Sequence, residues 1–249
     1  GLSRHAVGLL ELSNCCDLWT VNRGELTVKN NDVAIWSCSR LASSRCPNKM
    51  IRPFHDTTLT DIFLSKLAGL DQNTFFAGYE DVFKSMCAKH KVPFVQRTRH
   101  SALIDEPAKE IYSFINDQPY DYFLQVNACT PFLRSKSIVD FLDSCASDRR
   151  PAFGVFRTKN YFVRLDGSPI NFDVDLTTIN TKAVSPVYEF GHVFYFFSKE
   201  HFLRTGWYWD WNDVRYIEIP SGLETFDVDT EEEFFMAESM WKDVGRSVR

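Results

Sequence analysis

Two arginines, two serines and a lysine crowd one short stretch, Arg40-Leu-Ala-Ser-Ser44-Arg45-Cys-Pro47-Asn48-Lys49. It follows closely on Val33-Ala-Ile-Trp-Ser37, an apolar run that reads as a buried strand. Amides and hydroxyls of such a loop can wrap phosphate oxygens, and its cations can neutralise charge where a leaving group departs. The carboxyl end of a strand is also where open α/β sheets hold ligands. The loop is therefore read as a triphosphate cradle. It is not the G-x-x-x-x-G-K-[ST] loop, nor a glycine-rich dinucleotide turn.

A second constellation lies near the other end, at Asp227-Val-Asp229-Thr230-Glu231-Glu-Glu233. In extended chain, residues i and i+2 face the same way. Asp227 and Asp229 then converge on one point and suit Mg2+, which takes oxygen ligands and bridges to phosphates. Thr230 is placed to cap a closing helix, with Glu233 at the capping-box position. Glu231, Glu232 and Glu233 complement the helix dipole. A second acidic pair, Asp173 and Asp175, has no partner motif and reads as a solvated strand edge.

The elements that must position these groups alternate. Strands are expected at 33–37, 74–77, 92–95, 120–126, 152–156, 192–197 and 216–219. Helices are expected at 59–70, 80–90, 106–116, 135–146 and 231–241, with Ser135 or Ser137 capping the fourth. Such alternation argues for a mostly parallel sheet covered on both faces. It breaks after Arg157, where Asp166-Gly167 suggests a hairpin turn within an antiparallel insertion over 157–190. Residues 1–31 read as an N-terminal extension of unknown role, and 32–249 as the main domain. Trp207-Tyr-Trp209-Asp-Trp211 reads as core or interface, and His100 and His192 as structural.

Bulk properties agree with a folded α/β domain. The chain has 249 residues, is 44% hydrophobic and carries a net charge of −5. That charge excludes wrapping nucleic acid through bulk attraction. Seven scattered cysteines without a C-x-x-C spacing argue for reduced thiols in the cytoplasm rather than disulfides or zinc. No apolar run is long enough to span a membrane. No signal peptide is visible, and Gly1 is not an initiator Met, as in a trimmed or excised chain.

The basic loop resembles the opening motif of the cytidylyltransferases that activate acidic sugars, the CMP-sialic acid and CMP-Kdo synthetases. Asp121-Tyr-Phe-Leu-Gln-Val-Asn127-Ala-Cys129-Thr130-Pro131-Phe-Leu-Arg134 is similar to the family's second signature. Asn127 stands where the sialic acid enzymes carry Gln, and Cys129-Thr130 replaces Thr-Ser. Arg97 with Asp105 resembles the family's Arg-Pro turn and downstream Asp, without the Pro. Asp227 to Glu233 resembles its D-x-D-T-E-E-D stretch.

The resemblance implies a three-layer, Rossmann-like fold of the nucleotide-diphospho-sugar-transferase type, with an antiparallel β-ribbon as dimerisation arm. It implies CTP bound by Arg40, Ser44, Arg45, Lys49, Arg97 and Asp105, an acidic sugar held by Asn127, Thr130 and Arg157, and Mg2+ on Asp227 and Asp229. Arg40, Lys49 and Asp229 are the expected catalytic residues, and a homodimer is the expected assembly. Three rivals stand beside this reading. One is a nucleotidyltransferase for a phosphonate or polyol phosphate, another a metal-dependent nucleotide-sugar glycosyltransferase, and the third a non-catalytic binding module.

Overall fold

A computed structural model describes residues 32–182 and 184–245; the expected extension at 1–31 lies outside them. Among the described residues seven strands form one sheet: β1 (Val33–Cys38), β2 (Asn73–Gly78), β3 (Phe94–Gln96), β4 (Tyr122–Val126), β5 (Ala152–Thr158), β6 (Val187–Ser198) and β7 (Arg215–Glu218). Their order across the sheet is β3-β2-β1-β4-β6-β5-β7. β1 runs parallel to β2 and β4, β2 to β3, and β5 to β7, while β6 is antiparallel to β4 and β5.

The apolar run of β1 follows from its central place, buried on both faces. Val33 and Ile35 join one core and Ala34 and Trp36 the other. The first core takes residues from α1 (Leu59–Ala68), α2 (Asp81–His90), α5 (Ser135–Ala146) and α7 (Glu231–Val244). The second is packed with rings, Phe114, Phe202, Tyr208 and Trp209 among them. It lies under α6 (Lys199–Thr205) and the loop after it.

Several expectations change in detail. The helix expected over 106–116 is only α4 (Ala108–Ile111) followed by a 3-10 turn at Ser113–Asp117. That turn drops Phe114 and Ile115 into the core, where Phe114 meets Trp36 edge-on at 5.3 Å, so tertiary packing overrides the helical spacing. Neither Ser135 nor Ser137 caps α5; Arg134 holds the cap position without a side-chain cap bond. Two short helices not foreseen, α3 (Arg99–Leu103) and α6, start on the side chains of Thr98 and Ser198. The third strand begins at Phe94 rather than 92, because Lys91 ends α2 in a left-handed conformation, φ 59°.

The turn at Asp166-Gly167 is present, with Gly167 at φ +84°, but its arms share only an isolated bridge, Val163 to Pro169. The regular antiparallel ribbon lies at the base of the insertion, where Val155–Thr158 pairs with Val187–Phe190. Beyond that base Val163, Leu165, Val174 and Ile179 are exposed, as are Asp173 and Asp175.

Candidate active site

The basic loop leaves β1 at the sheet's carboxyl edge. Ser39 still bonds the Ala77 carbonyl of β2, at 3.2 Å, before the chain turns away at Arg40. Cys46 and Met50 are buried and pin the loop to the core. Between them Asn48 takes a left-handed turn, φ 56°, while Ser44 and Arg45 stay exposed.

The acidic strap follows β7 through a 3-10 turn at Gly222–Thr225 and leads into α7. Val228 is fully buried and its amide bonds the Cys129 carbonyl at 3.0 Å. With Val228 turned inward, Asp227 and Asp229 on either side of it project away from the core. The capping box at Thr230 and Glu233 is formed, and Glu233 also accepts from the Asp229 amide at 2.8 Å.

Loop and strap meet directly. Lys49 Nζ donates to Asp229 Oδ1 at 2.9 Å and to the Val228 carbonyl. Arg45 pairs with Asp229 Oδ2 at 2.8 Å. Asn127, just beyond β4, donates from Nδ2 to Asp227 Oδ2 at 3.0 Å and to the His192 carbonyl at 3.1 Å. The Asn127 side-chain oxygen accepts from the Cys129 amide at 2.8 Å, which fixes the amide's orientation. Residues from the first strand's exit, the centre and the end of the described chain thus meet beyond the sheet's carboxyl edge.

Their charges are set by each other. Burial opposes ionisation of Asp229, but Lys49 and Arg45 outweigh it and hold the carboxyl below the usual range. Burial, then the like charge of Asp229, pushes Asp227 up. Burial also works against the Lys49 ammonium, yet neighbouring Cys129, Asp229 and Asp227 keep its pKa above the ordinary value. Burial pushes the Cys129 thiol up to about 12, and the side chain packs on the first core with its Sγ 3.5 Å from Met50 Sδ.

The other expected residues divide. Arg40 pairs with Asp105 and donates to the Ile104 carbonyl at 3.2 Å, so these two sit together at the loop's near side. Arg97 is 4% exposed, and its guanidinium bonds Ser101 and the Ile111 carbonyl. It braces α3 against α4 instead of reaching into the cleft. Thr130 is also buried, its hydroxyl on the Asn127 carbonyl at 2.8 Å. Arg157 is exposed on β5, opposite Tyr188 of β6, and has no ion-pair partner among the described residues. A cavity of about 530 Å³ opens elsewhere, between α1, α2 and the start of α5, and none of the expected residues lines it.

Some supporting residues gave no sequence signal. Glu80 receives the Leu41 amide at 3.1 Å and tethers the basic loop to the end of β2. His192 sits at φ 50° with its carbonyl on Asn127. Glu231, read as a dipole complement, holds Arg52 at 2.9 Å. Glu224, 2% exposed, accepts from the Arg134 amide at 3.0 Å and from its guanidinium, which ties the acidic strap to α5.

The fold of the chain recurs in solved structures of other proteins. The chain is similar in structure to CMP:2-keto-3-deoxy-manno-octonic acid synthetase complexed with CTP, at a TM-score of 0.60 and 10% identity over 85% of this chain and 98% of that one. It is similar to a cytidylyltransferase from Leptospira borgpetersenii serovar Hardjo-bovis, with 0.59 and 14% over 85% and 87%. It is also similar to 4-diphosphocytidyl-2C-methyl-D-erythritol synthase from Anaerococcus prevotii, with 0.61 and 11% over 84% and 96%. At these identities the likeness establishes the fold. No protein-family model matches the chain, and no curated protein sequence is similar to it.

Proposed function

We propose that the chain is a CTP-dependent cytidylyltransferase that transfers CMP to the anomeric hydroxyl of an acidic sugar. The observation that carries the reading is the meeting of Arg45 and Lys49 with Asp229 at the carboxyl edge of the sheet. A triphosphate laid on the loop would face cations on one side and the acidic pair on the other. The sugar hydroxyl attacks the α-phosphorus, the bond to the β-phosphate oxygen breaks, and pyrophosphate leaves toward Lys49 and Arg40. The hydroxyl proton passes to solvent. Positioning and charge neutralisation supply the rate.

The residues present fit a hard dication. Asp227 Oδ1 is buried with no hydrogen-bond partner, and an orphaned carboxylate oxygen beside a second carboxylate is the donor chemistry Mg2+ takes. Asp227 and Asp229 would hold it, where it would neutralise phosphate charge. Asn127 keeps Asp227 turned into the cleft. Arg157, exposed and without an ion-pair partner among the described residues, suits the sugar carboxylate.

Two further features belong to this reading. The exposed aliphatic side chains of the insertion suit burial against a second copy, hence a homodimer. The described cysteines are all free thiols, which suits a reducing compartment such as the cytoplasm. No helix of the described residues is long and apolar enough to cross a membrane.

The test is pyrophosphate release from CTP and Mg2+ with a panel of sugar acids. Asp229→Ala should abolish it; normal turnover by that variant sinks the assignment. A non-sugar acceptor is the second reading, favoured by the structural likeness to 4-diphosphocytidyl-2C-methyl-D-erythritol synthase. Adding polyol phosphates to the same panel separates the two.

A further inference from the structure

The two acidic side chains of the strap are not equivalent. Asp227 has one oxygen on Asn127 and the other buried and unpartnered. Asp229 has both oxygens taken, Oδ1 by Lys49 at 2.9 Å and Oδ2 by Arg45 at 2.8 Å. A dication that draws on both carboxylates therefore finds only half of its protein ligands free. The cations that block the other half are the ones expected to hold the triphosphate.

The two blockers differ in freedom. The Lys49 side chain is 11% exposed and is also anchored on the Val228 carbonyl, whereas Arg45 is 64% exposed on the loop tip. The Asp229 backbone is held beside them, because Glu233 accepts from its amide. A triphosphate offers several anionic oxygens to a guanidinium, and a single carboxylate offers two. A bound nucleotide would outcompete Asp229 for Arg45.

We propose that Asp229 stands in for a phosphate oxygen in the free chain, and that nucleotide binding releases it to complete the metal site. Arg45 is thus a gate on metal binding as well as a nucleotide ligand. The inference rests on the cytidylyltransferase reading. Linkage makes the coupling reciprocal, so whatever frees Asp229 tightens the metal. Removing Arg45 should then strengthen metal binding in the absence of nucleotide, the reverse of what losing a structural contact does.

The probe is Mn2+, which shares the oxygen preference of Mg2+ and is counted by its free electron-spin resonance signal. Without nucleotide, the Arg45→Ala chain should bind Mn2+ at least tenfold more tightly than wild type. Arg45→Lys, which keeps a competing charge, should stay close to wild type. The double variant Arg45→Ala with Asp229→Asn should lose the gain. Because Arg45 is exposed, circular dichroism should show the same fold in each. Equal or weaker Mn2+ binding by Arg45→Ala overturns the gate, and leaves the enzyme reading standing if wild type still releases pyrophosphate with Mg2+. A wild-type chain with no metal-dependent pyrophosphate release overturns both.

Discussion

Lys49 and Asp229 are 180 residues apart in sequence and 2.9 Å apart in space. The contact ties the exit of the first strand to the entry of the last helix. Lys49→Met should keep the fold while lowering kcat more than tenfold. Each decade corresponds to about 1.4 kcal/mol of lost transition-state stabilisation. Steady-state kinetics with CTP varied would show a fall in kcat; a rise in KM alone would mean that Lys49 binds ground state and transition state equally.

Asn127 links the exit of β4 to the acidic pair. Its Nδ2 serves both Asp227 and the His192 carbonyl. Asn127→Asp replaces that donor with a like charge against Asp227. The expected result is a kcat loss of at least tenfold, with the Mg2+ concentration for half activity shifted several-fold. A magnesium titration that superimposes on wild type would show that Asn127 does not orient Asp227.

Lys66 supplies a pH signature unrelated to chemistry. It is 4% exposed, and its ammonium donates to the Pro131 carbonyl at 2.7 Å. Burial pushes its pKa down to about 7, against a partial pull back from Glu224. The unfolded chain holds that proton to about pH 10.4. Between those values the unfolded state binds more protons, so stability rises with pH. From pH 7 to 9, wild type should gain about 2–3 kcal/mol relative to Lys66→Met, at about 1.4 kcal/mol for each pH unit. Urea melts of the two proteins at both pH values would measure the difference. Parallel behaviour would mean that Lys66 stays protonated in the fold.

Glu224 is a test of the strap's anchoring. It is almost wholly buried and accepts from the Arg134 backbone and side chain. Glu224→Ala leaves the Arg134 amide without its acceptor and the Arg134 guanidinium without its counter-charge. Stability should fall by about 3 kcal/mol. Chemical denaturation checks this, and a change below about 0.5 kcal/mol would place the strap's anchor elsewhere.

Legibility in the sequence tracked locality. β1, α1, α2, α5 and α7 were read to within a few residues because each carries a long apolar period, and the α7 capping box is a four-residue pattern. The helix expected at 106–116 failed because Trp36, some 80 residues earlier in the chain, accepts Phe114 in a 3-10 turn. That Asp227 and Asp229 lie on one side of the strap followed from extended-chain geometry, with Val228 between them buried. That Lys49 and Arg45 neutralise Asp229 did not, since no local pattern encodes a pairing between distant loops. Arg97 illustrates the converse. A motif match pointed to the cleft, while its guanidinium is held by Ser101 and Ile111 inside the chain.

The insertion yields the last prediction. Leu165 is 110% exposed and Ile179 85%, yet each would gain about 1.5–3 kcal/mol from full burial. Regular strand pairing between the arms stops at the Val163–Pro169 bridge, and these two side chains are left in water. A second copy can cover both arms at once through a two-fold contact, in which each side chain is used twice. Sedimentation equilibrium should therefore report a dimer at micromolar concentration. Leu165→Asp with Ile179→Asp should shift it to monomer without altering the circular dichroism, since neither side chain packs against either core. A wild-type chain that stays monomeric at high micromolar concentration removes the dimer from this reading and leaves the cleft chemistry untouched.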